Sequence, residues 1–432
     1  MSIVLLLAAL VIAVIRLSDD GDSSRAAPST STTPAISVPP AVTPDASGEP
    51  NYIRDIKAQV SELRGLPWKA PLTVQVVSKS ELARRIKEVV DRDANPERIS
   101  GDEATLKALH LIPRDLDYRK AIDDLLAEQV LGFYDPVTKA MMVADAGDGD
   151  VSPDTKVTIA HELDHALTDQ HFDFGSKTDA LDNDDRGEEY AAFGALIEGD
   201  AVSLQLLWAE AHLSADEQAE ALLGSGADTS VFARTPPFIR ASLLFPYTAG
   251  AEFVADLIDG TSFKRVDEAY NRPPTSTEQI LDSELYSPAE DWSSPAITDA
   301  AVPSGCAALR KNTLGEFVMR ELLNAHLGTS ESNRGAKGWD GDTFQTVRCG
   351  SALGVVDKWR ADSDDDAARL EAALNKWVAG WSGSGRAPEP DGHFSGPDGA
   401  GRITRSGSQV QIVLADDVPT ADRLETAVGV LN

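Results

Sequence analysis

Residues 155–170 read Thr-Lys-Val-Thr-Ile-Ala-His-Glu-Leu-Asp-His-Ala-Leu-Thr-Asp-Gln, with no glycine or proline to interrupt them. Ser152 and Pro153 stand just ahead, a cap residue followed by a residue suited to the first helical turn. Val157, Ala160, Leu163 and Leu167 recur at helical spacing. The stretch therefore predicts a helix, and a helix places His161 and His165 on one face, one turn apart. Their ring nitrogens can then converge on a single zinc ion at about 2.0–2.1 Å. Glu162 lies one step round the helix, poorly placed to be a ligand and well placed to take a proton from a water beside the ion.

A catalytic zinc usually has three protein ligands. Glu198 is the leading candidate for the third, because Ala191, Ala195, Glu198 and Val202 share one face of a second predicted helix. A lone carboxylate buried on that small, apolar face is costly unless a cation meets it. Gly199 beside it would allow a close approach to the histidine helix. Glu188 and Glu189 are rivals nearer the helix start, where an N-terminal charge role is the plainer reading. Asp200 and Asp169 are candidates to accept the second N–H of a ligand imidazole. His171 falls on a different face and is read as a non-ligand. Tyr247, in Leu-Leu-Phe-Pro-Tyr-Thr-Ala-Gly, is the candidate donor to an oxyanion, ahead of Tyr190. Ser276 to Gln279 fits a capping box. Two acidic stretches, 145–150 and 182–185, invite a calcium reading, but the second has Arg186 and Phe193 where an EF-hand loop needs ligands.

The rest of the chain falls into segments. Residues 3–15 are unbroken apolar, short for a membrane span of about 17–25 residues and suited to a signal core of about 7–15. Residues 1–18 are expected to be a membrane anchor in preference to a removed signal, and 19–50 a Ser/Thr/Pro-rich linker that cannot bury enough surface to fold. Residues 51–304 read as a mainly helical catalytic domain with a small β-sheet, and 305–432 as a small α+β module. Strands are expected at 72–77, in a hairpin over 130–144, and at 343–348, 353–359, 403–404 and 409–414. Helices are expected at 81–93, 102–110, 116–128, 188–222 with a break near 213, 238–258, 313–327, 367–381 and from 420. The hairpin could offer an edge strand to an extended peptide.

A formal charge of −31 repels phosphate backbones and anionic headgroups, which argues against nucleic acid and leaves membrane contact to the N-terminal segment only. Cys306 and Cys349, the two cysteines present, read as a disulfide, because the N-terminal segment makes this an expected extracytoplasmic chain of the cell envelope.

Four stretches taken together, His161–Asp173, Glu198-Gly-Asp-Ala201, Phe245–Gly250 and Pro273–Leu281, resemble the gluzincin branch of zincin metallopeptidases, and within it a group of exported bacterial zinc-peptidase-like proteins. The resemblance spans roughly residues 120–290. It implies His161, His165 and Glu198 as zinc ligands, Glu162 as catalytic base, and a zincin-like fold with a sheet edge above the histidine helix. One departure stands out: the group follows the last motif with His-Pro, and this chain has Asp282-Ser283. The expected activity is zinc-dependent hydrolysis of a protein or peptide substrate; the alternative is a non-catalytic metal-binding envelope protein.

Overall fold

The structure, a computed structural model, describes residues 49–129, 131–144, 151–223, 230–286, 292–297, 301–429 and 431. The expected anchor, all of the linker but its last two residues, and the acidic stretch 145–150 lie outside them. Among the described residues no helix is long and apolar enough to cross a membrane. The assignment to the cell envelope through an N-terminal anchor is thus carried by no described helix and is withdrawn. Cys306 and Cys349 do form a disulfide, which is compatible with an extracellular location.

The fold is mixed α+β. The first part runs α1 (Asn51–Arg64), β1 (Val74–Val77), α2 (Lys79–Asp93), α3 (Pro96–Ala108), α4 (Tyr118–Gln129), β2 (Gly132–Asp135), β3 (Ala140–Ala144), α5 (Pro153–Phe172), α6 (Phe174–Asn183) and α7 (Gly187–His212). It continues with α8 (Ala215–Leu223), α9 (Ser230–Arg234), α10 (Pro237–Leu257), α11 (Lys264–Asn271) and α12 (Thr277–Leu281). The second part runs β4 (Ala307–Asn312), α13 (Gly315–Leu327), α14 (Thr329–Ala336), β5 (Trp339–Cys349), β6 (Ala352–Ala361), α15 (Asp364–Trp381), β7 (His393–Ser395), β8 (Ala400–Ser406), β9 (Gln409–Ala415) and α16 (Val418–Val428).

Helix α5 is the axis of the first part. Every residue from Val157 to Asp169 is buried, polar and apolar alike, so the helix is enclosed on all sides. Its apolar stripe joins Ala195, Leu196 and Phe193 of α7 in one core. A three-stranded sheet in the order β1-β3-β2 covers another side, with β1 parallel and β2 antiparallel to β3. β2 is an edge strand, and it packs on α5.

Helices α7 and α10 cross at near-contact of their backbones. A Cβ on Gly199 would fall 2.1 Å from the Gly250 carbonyl oxygen, and one on Gly250 would fall 2.1 Å from that of Ala195. Gly199 thus serves the approach of α10, not of the histidine helix as the sequence suggested.

The second part is one antiparallel six-stranded sheet in the order β4-β5-β6-β9-β8-β7. Val355 of β6 packs with Leu374 and Trp377 of α15, whereas its neighbour Val356 packs with Ala421 and Leu424 of α16. Helices therefore cover both faces, and Leu353, Val355 and Val356 of β6 are all buried. Helices α1, α6, α9 and α14 and strands β4 and β7 escaped the sequence reading. The Gly/Pro/Ser-rich stretch 382–401 contributes β7 to the sheet.

Candidate metal centre

His161 and His165 project from the middle of α5, and Glu198 from the middle of α7, onto one point between the two helices. The Nε2 atoms of the two histidines lie 3.0 Å apart. Glu198 Oε2 is 3.2 Å from His161 Nε2 and 3.4 Å from His165 Nε2. Three atoms held tetrahedrally at about 2.0–2.1 Å from an ion stand roughly 3.3 Å from one another, so this triangle has the size a zinc-like ion needs. The chemistry of the donors agrees, two imidazoles and one carboxylate, and the group can hold a metal ion.

The ring orientations follow from their outer partners. His161 Nδ1 lies 3.0 Å from Gln205 Oε1. An amide oxygen can only accept, so Nδ1 carries the proton and donates it, and Nε2 turns its lone pair to the centre. Gln205 lies two helical turns beyond Glu198 on α7, so one face of one helix provides a ligand and the residue that orients another ligand. The sequence reading gave that role to Asp200 or Asp169, and the structure corrects it. Asp200 binds Arg64, and Asp169 is taken by the Tyr134 hydroxyl, Lys139 and the Gly175 amide. An amide on an apolar face two turns after the ligand was the signal to follow. His165 Nδ1 makes no hydrogen bond among the described residues, and its ring meets Phe174 edge-on at 6.1 Å.

Glu162 sits beside the triad, buried. Its Oε2 accepts the Tyr134 backbone N–H at 2.7 Å. Strand β2 is the sheet edge, and Tyr134 N–H points away from β3 towards α5, so an otherwise unpaired edge amide fixes the carboxylate. Gly132 on the same strand lies against it: a Cβ there would stand 3.5 Å from Glu162 Cγ, an ordinary contact.

The two carboxylates of the site titrate apart. Burial, with the His161 charge opposing it and the Glu198 charge reinforcing it, pushes Glu162 up to about 7. Burial would raise Glu198 too, but the facing histidines outweigh it and hold Glu198 down to about 2.

Tyr247 is buried, and its ring stacks beside His161 at 6.3 Å between centroids. Tyr190 instead lines a separate cavity with Tyr118, Arg92 and Asp182. His171 donates to or accepts at no ligand position; its Nε2 contacts the Pro67 carbonyl at 2.7 Å. Glu188 binds the Thr277 amide and hydroxyl, and Glu189 pairs with Arg186. Asp182 and Asp185 are occupied by Arg98 and Arg310, which removes the calcium reading of that stretch. Ser276 does cap α12, accepting from the Gln279 amide.

Comparison with known proteins places one segment. Residues 305–425 match a domain of unknown function (DUF8575), the antiparallel sheet and its helices. No curated protein matches the chain, and no solved structure matches it.

Proposed function

We propose that this chain is a zinc-dependent peptidase of the zincin class, gluzincin branch, acting on a peptide or protein substrate. The observation that carries the reading is the buried triangle of His161, His165 and Glu198 with Glu162 fixed alongside it. Helix α5 under an edge strand, β2, accords with a zincin-like arrangement. When bound, a zinc ion supplies Lewis acidity, acidifying a water and polarising a carbonyl, and its charge draws nearby carboxyls down. The protein does the rest. Gln205 holds His161 in the tautomer that can ligate. Tyr134 N–H anchors Oε2 of Glu162, leaving Oε1 to take the proton of the attacking water and return it to the departing amine. Tyr247, whose ring stacks beside His161, is the candidate donor to the carbonyl oxygen as it gains charge.

A second reading, a structural metal centre without activity, is favoured by the enclosure of the triad: the His161, His165 and Glu198 side chains are 1%, 9% and 1% exposed. One experiment separates the two. Zinc content and casein cleavage are measured for the full chain and for Glu162→Gln. The peptidase reading expects equal zinc in both and a loss of cleavage of about 100-fold or more in the variant. Cleavage that survives Glu162→Gln overturns the proposed base, and zinc without cleavage in the native chain favours the structural reading.

A further inference from the structure

Behind the triad lies a second buried cluster that the proposed chemistry does not use. Arg64, the last residue of α1, has a side chain with no exposure. Its Nη2 donates to Asp200 Oδ2 at 3.0 Å, and its Nε reaches the same oxygen at 3.3 Å. Nη2 also lies 2.7 Å from Asp267 Oδ1 on α11, and Nε lies 3.7 Å from Asp164 Oδ1 on α5. The Phe263 ring closes one face of the guanidinium at 4.5 Å. Asp164 and Asp200 are both fully buried.

The positions of the two aspartates give the cluster its meaning. Asp164 precedes the ligand His165 by one residue on α5, and Asp200 follows the ligand Glu198 by two residues on α7. One step and two steps round a helix turn these side chains away from the face that carries the ligands. The front faces of α5 and α7 therefore hold the triad while their other faces hold two buried carboxyl groups. Arg64 is the cation between them. Its Nη1, both Asp164 oxygens and Asp200 Oδ1 make no hydrogen bond among the described residues, so Arg64 joins the two helices through its bonds to Asp200 and its approach to Asp164, beside their shared apolar core.

We infer that Arg64 is a positioning residue for the metal centre: from behind, it sets the separation of α5 and α7 and so the triangle of ligand atoms. The inference rests on reading the triad as a metal site. It is tested on the full chain with Co2+ and Zn2+ alone, following affinity by chelator competition and geometry by the visible absorption of bound cobalt. The double variant R64M/D200N removes one positive and one negative charge together, which limits the unpaired charge left behind. Its metal affinity is expected to fall about 10–100-fold, the range seen when a residue that orients a ligand is lost, with an altered cobalt band. If the double variant does not fold, Arg64→Lys carries the test. The ammonium keeps the charge but not the fork that spans Asp200 and Asp267, and affinity is expected to fall about tenfold. The control is Arg310→Met, a buried arginine paired with Asp102 and Asp185 far along the chain; its metal affinity stays native. Folded Arg64 variants with native affinity and cobalt spectrum overturn the inference, as does an equal loss in Arg310→Met. A native chain that binds neither ion sinks the metal reading itself, a distinct result.

Discussion

Glu188 and Glu198 stand on the same helix, α7, and both are buried, yet they titrate in opposite directions. Burial raises each. At Glu198 two imidazoles outweigh it and the carboxyl falls to about 2. At Glu188 the partners are the Thr277 amide and hydroxyl, and the nearby charges, Asp342 and Glu189, are of the same sign, so the carboxyl rises to about 8. The amide and hydroxyl dipoles at Glu188 do not offset burial, whereas the facing imidazoles at Glu198 do. The helix thus joins two environments: the candidate metal centre against α5, and a seam against the antiparallel sheet where carboxyls are raised. The seam continues the pattern. Asp342 accepts from the Leu314 and Gly315 amides and from the Trp339 indole, and burial still pushes it up to about 6. Glu278, beside Glu316, is pushed up to about 9 by burial and by that like charge.

The contrast is tested most severely at Glu198. Glu198→Ala leaves two imidazoles facing each other, and zinc affinity is expected to drop beyond the roughly 100-fold that loss of an outer partner can cause. Glu188→Gln is expected to leave zinc affinity at its native value. Competition against a chromophoric chelator measures both. Equal losses in the two variants would mean that α7 responds as a whole and that its two ends are not separate environments.

A smaller effect is expected at Gln205. Gln205→Leu keeps the volume of the side chain and removes the acceptor that fixes the His161 tautomer, so zinc affinity should fall about 10–100-fold with little change in fold. Native affinity in a folded Gln205→Leu chain would place the orientation of His161 in ring packing, with Tyr247, instead of in the hydrogen bond.

Parts of this were legible in the sequence because they depend on spacing within one helix. The pair His161 and His165 needs only the helical repeat, and Glu198 announces itself as a lone acid on an apolar face. The break after α7, the hairpin and the long helix α10 follow from local pattern as well. What was hidden depends on contacts across long stretches of chain. Arg64 meets Asp164 and Asp200 from far upstream, and among 70 acidic residues no pattern singles those two out. Asp200 and Asp169 were assigned to the histidines because they are near in sequence, but Arg64 and Lys139 claimed them. Helix α14 is polar with Gly335 inside it, a poor helix by propensity. It forms because Gly335 lets it press on α15, where a Cβ would come 2.7 Å from that of Ala373. Strand β5 was read too short for a similar reason: Asp342, a poor strand residue, is held in place by two amides of the α13 start.

The gentlest probe of the contrast is pH. A glutamate in the unfolded chain titrates near 4.3, whereas folded Glu188 holds its proton until about 8. Between these values the folded chain binds more protons than the unfolded one, so stability falls as pH rises. The contribution is whole below about 4.3 and is lost as pH passes through about 8. Glu188→Gln keeps an oxygen to accept from the Thr277 amide and hydroxyl but has no proton to lose. It should match the native chain near pH 5 and exceed it by about 1–3 kcal/mol at pH 8, a part of what the full shift would allow. Urea unfolding at pH 5, 6.5 and 8 measures the difference. Asp342 and Glu278, both raised, give the native chain further slope of the same sign, so the variant narrows the pH dependence without abolishing it. Parallel native and variant curves across that range would show that Glu188 exchanges its proton alike in both states, and that the seam end of α7 is as well compensated as the metal end.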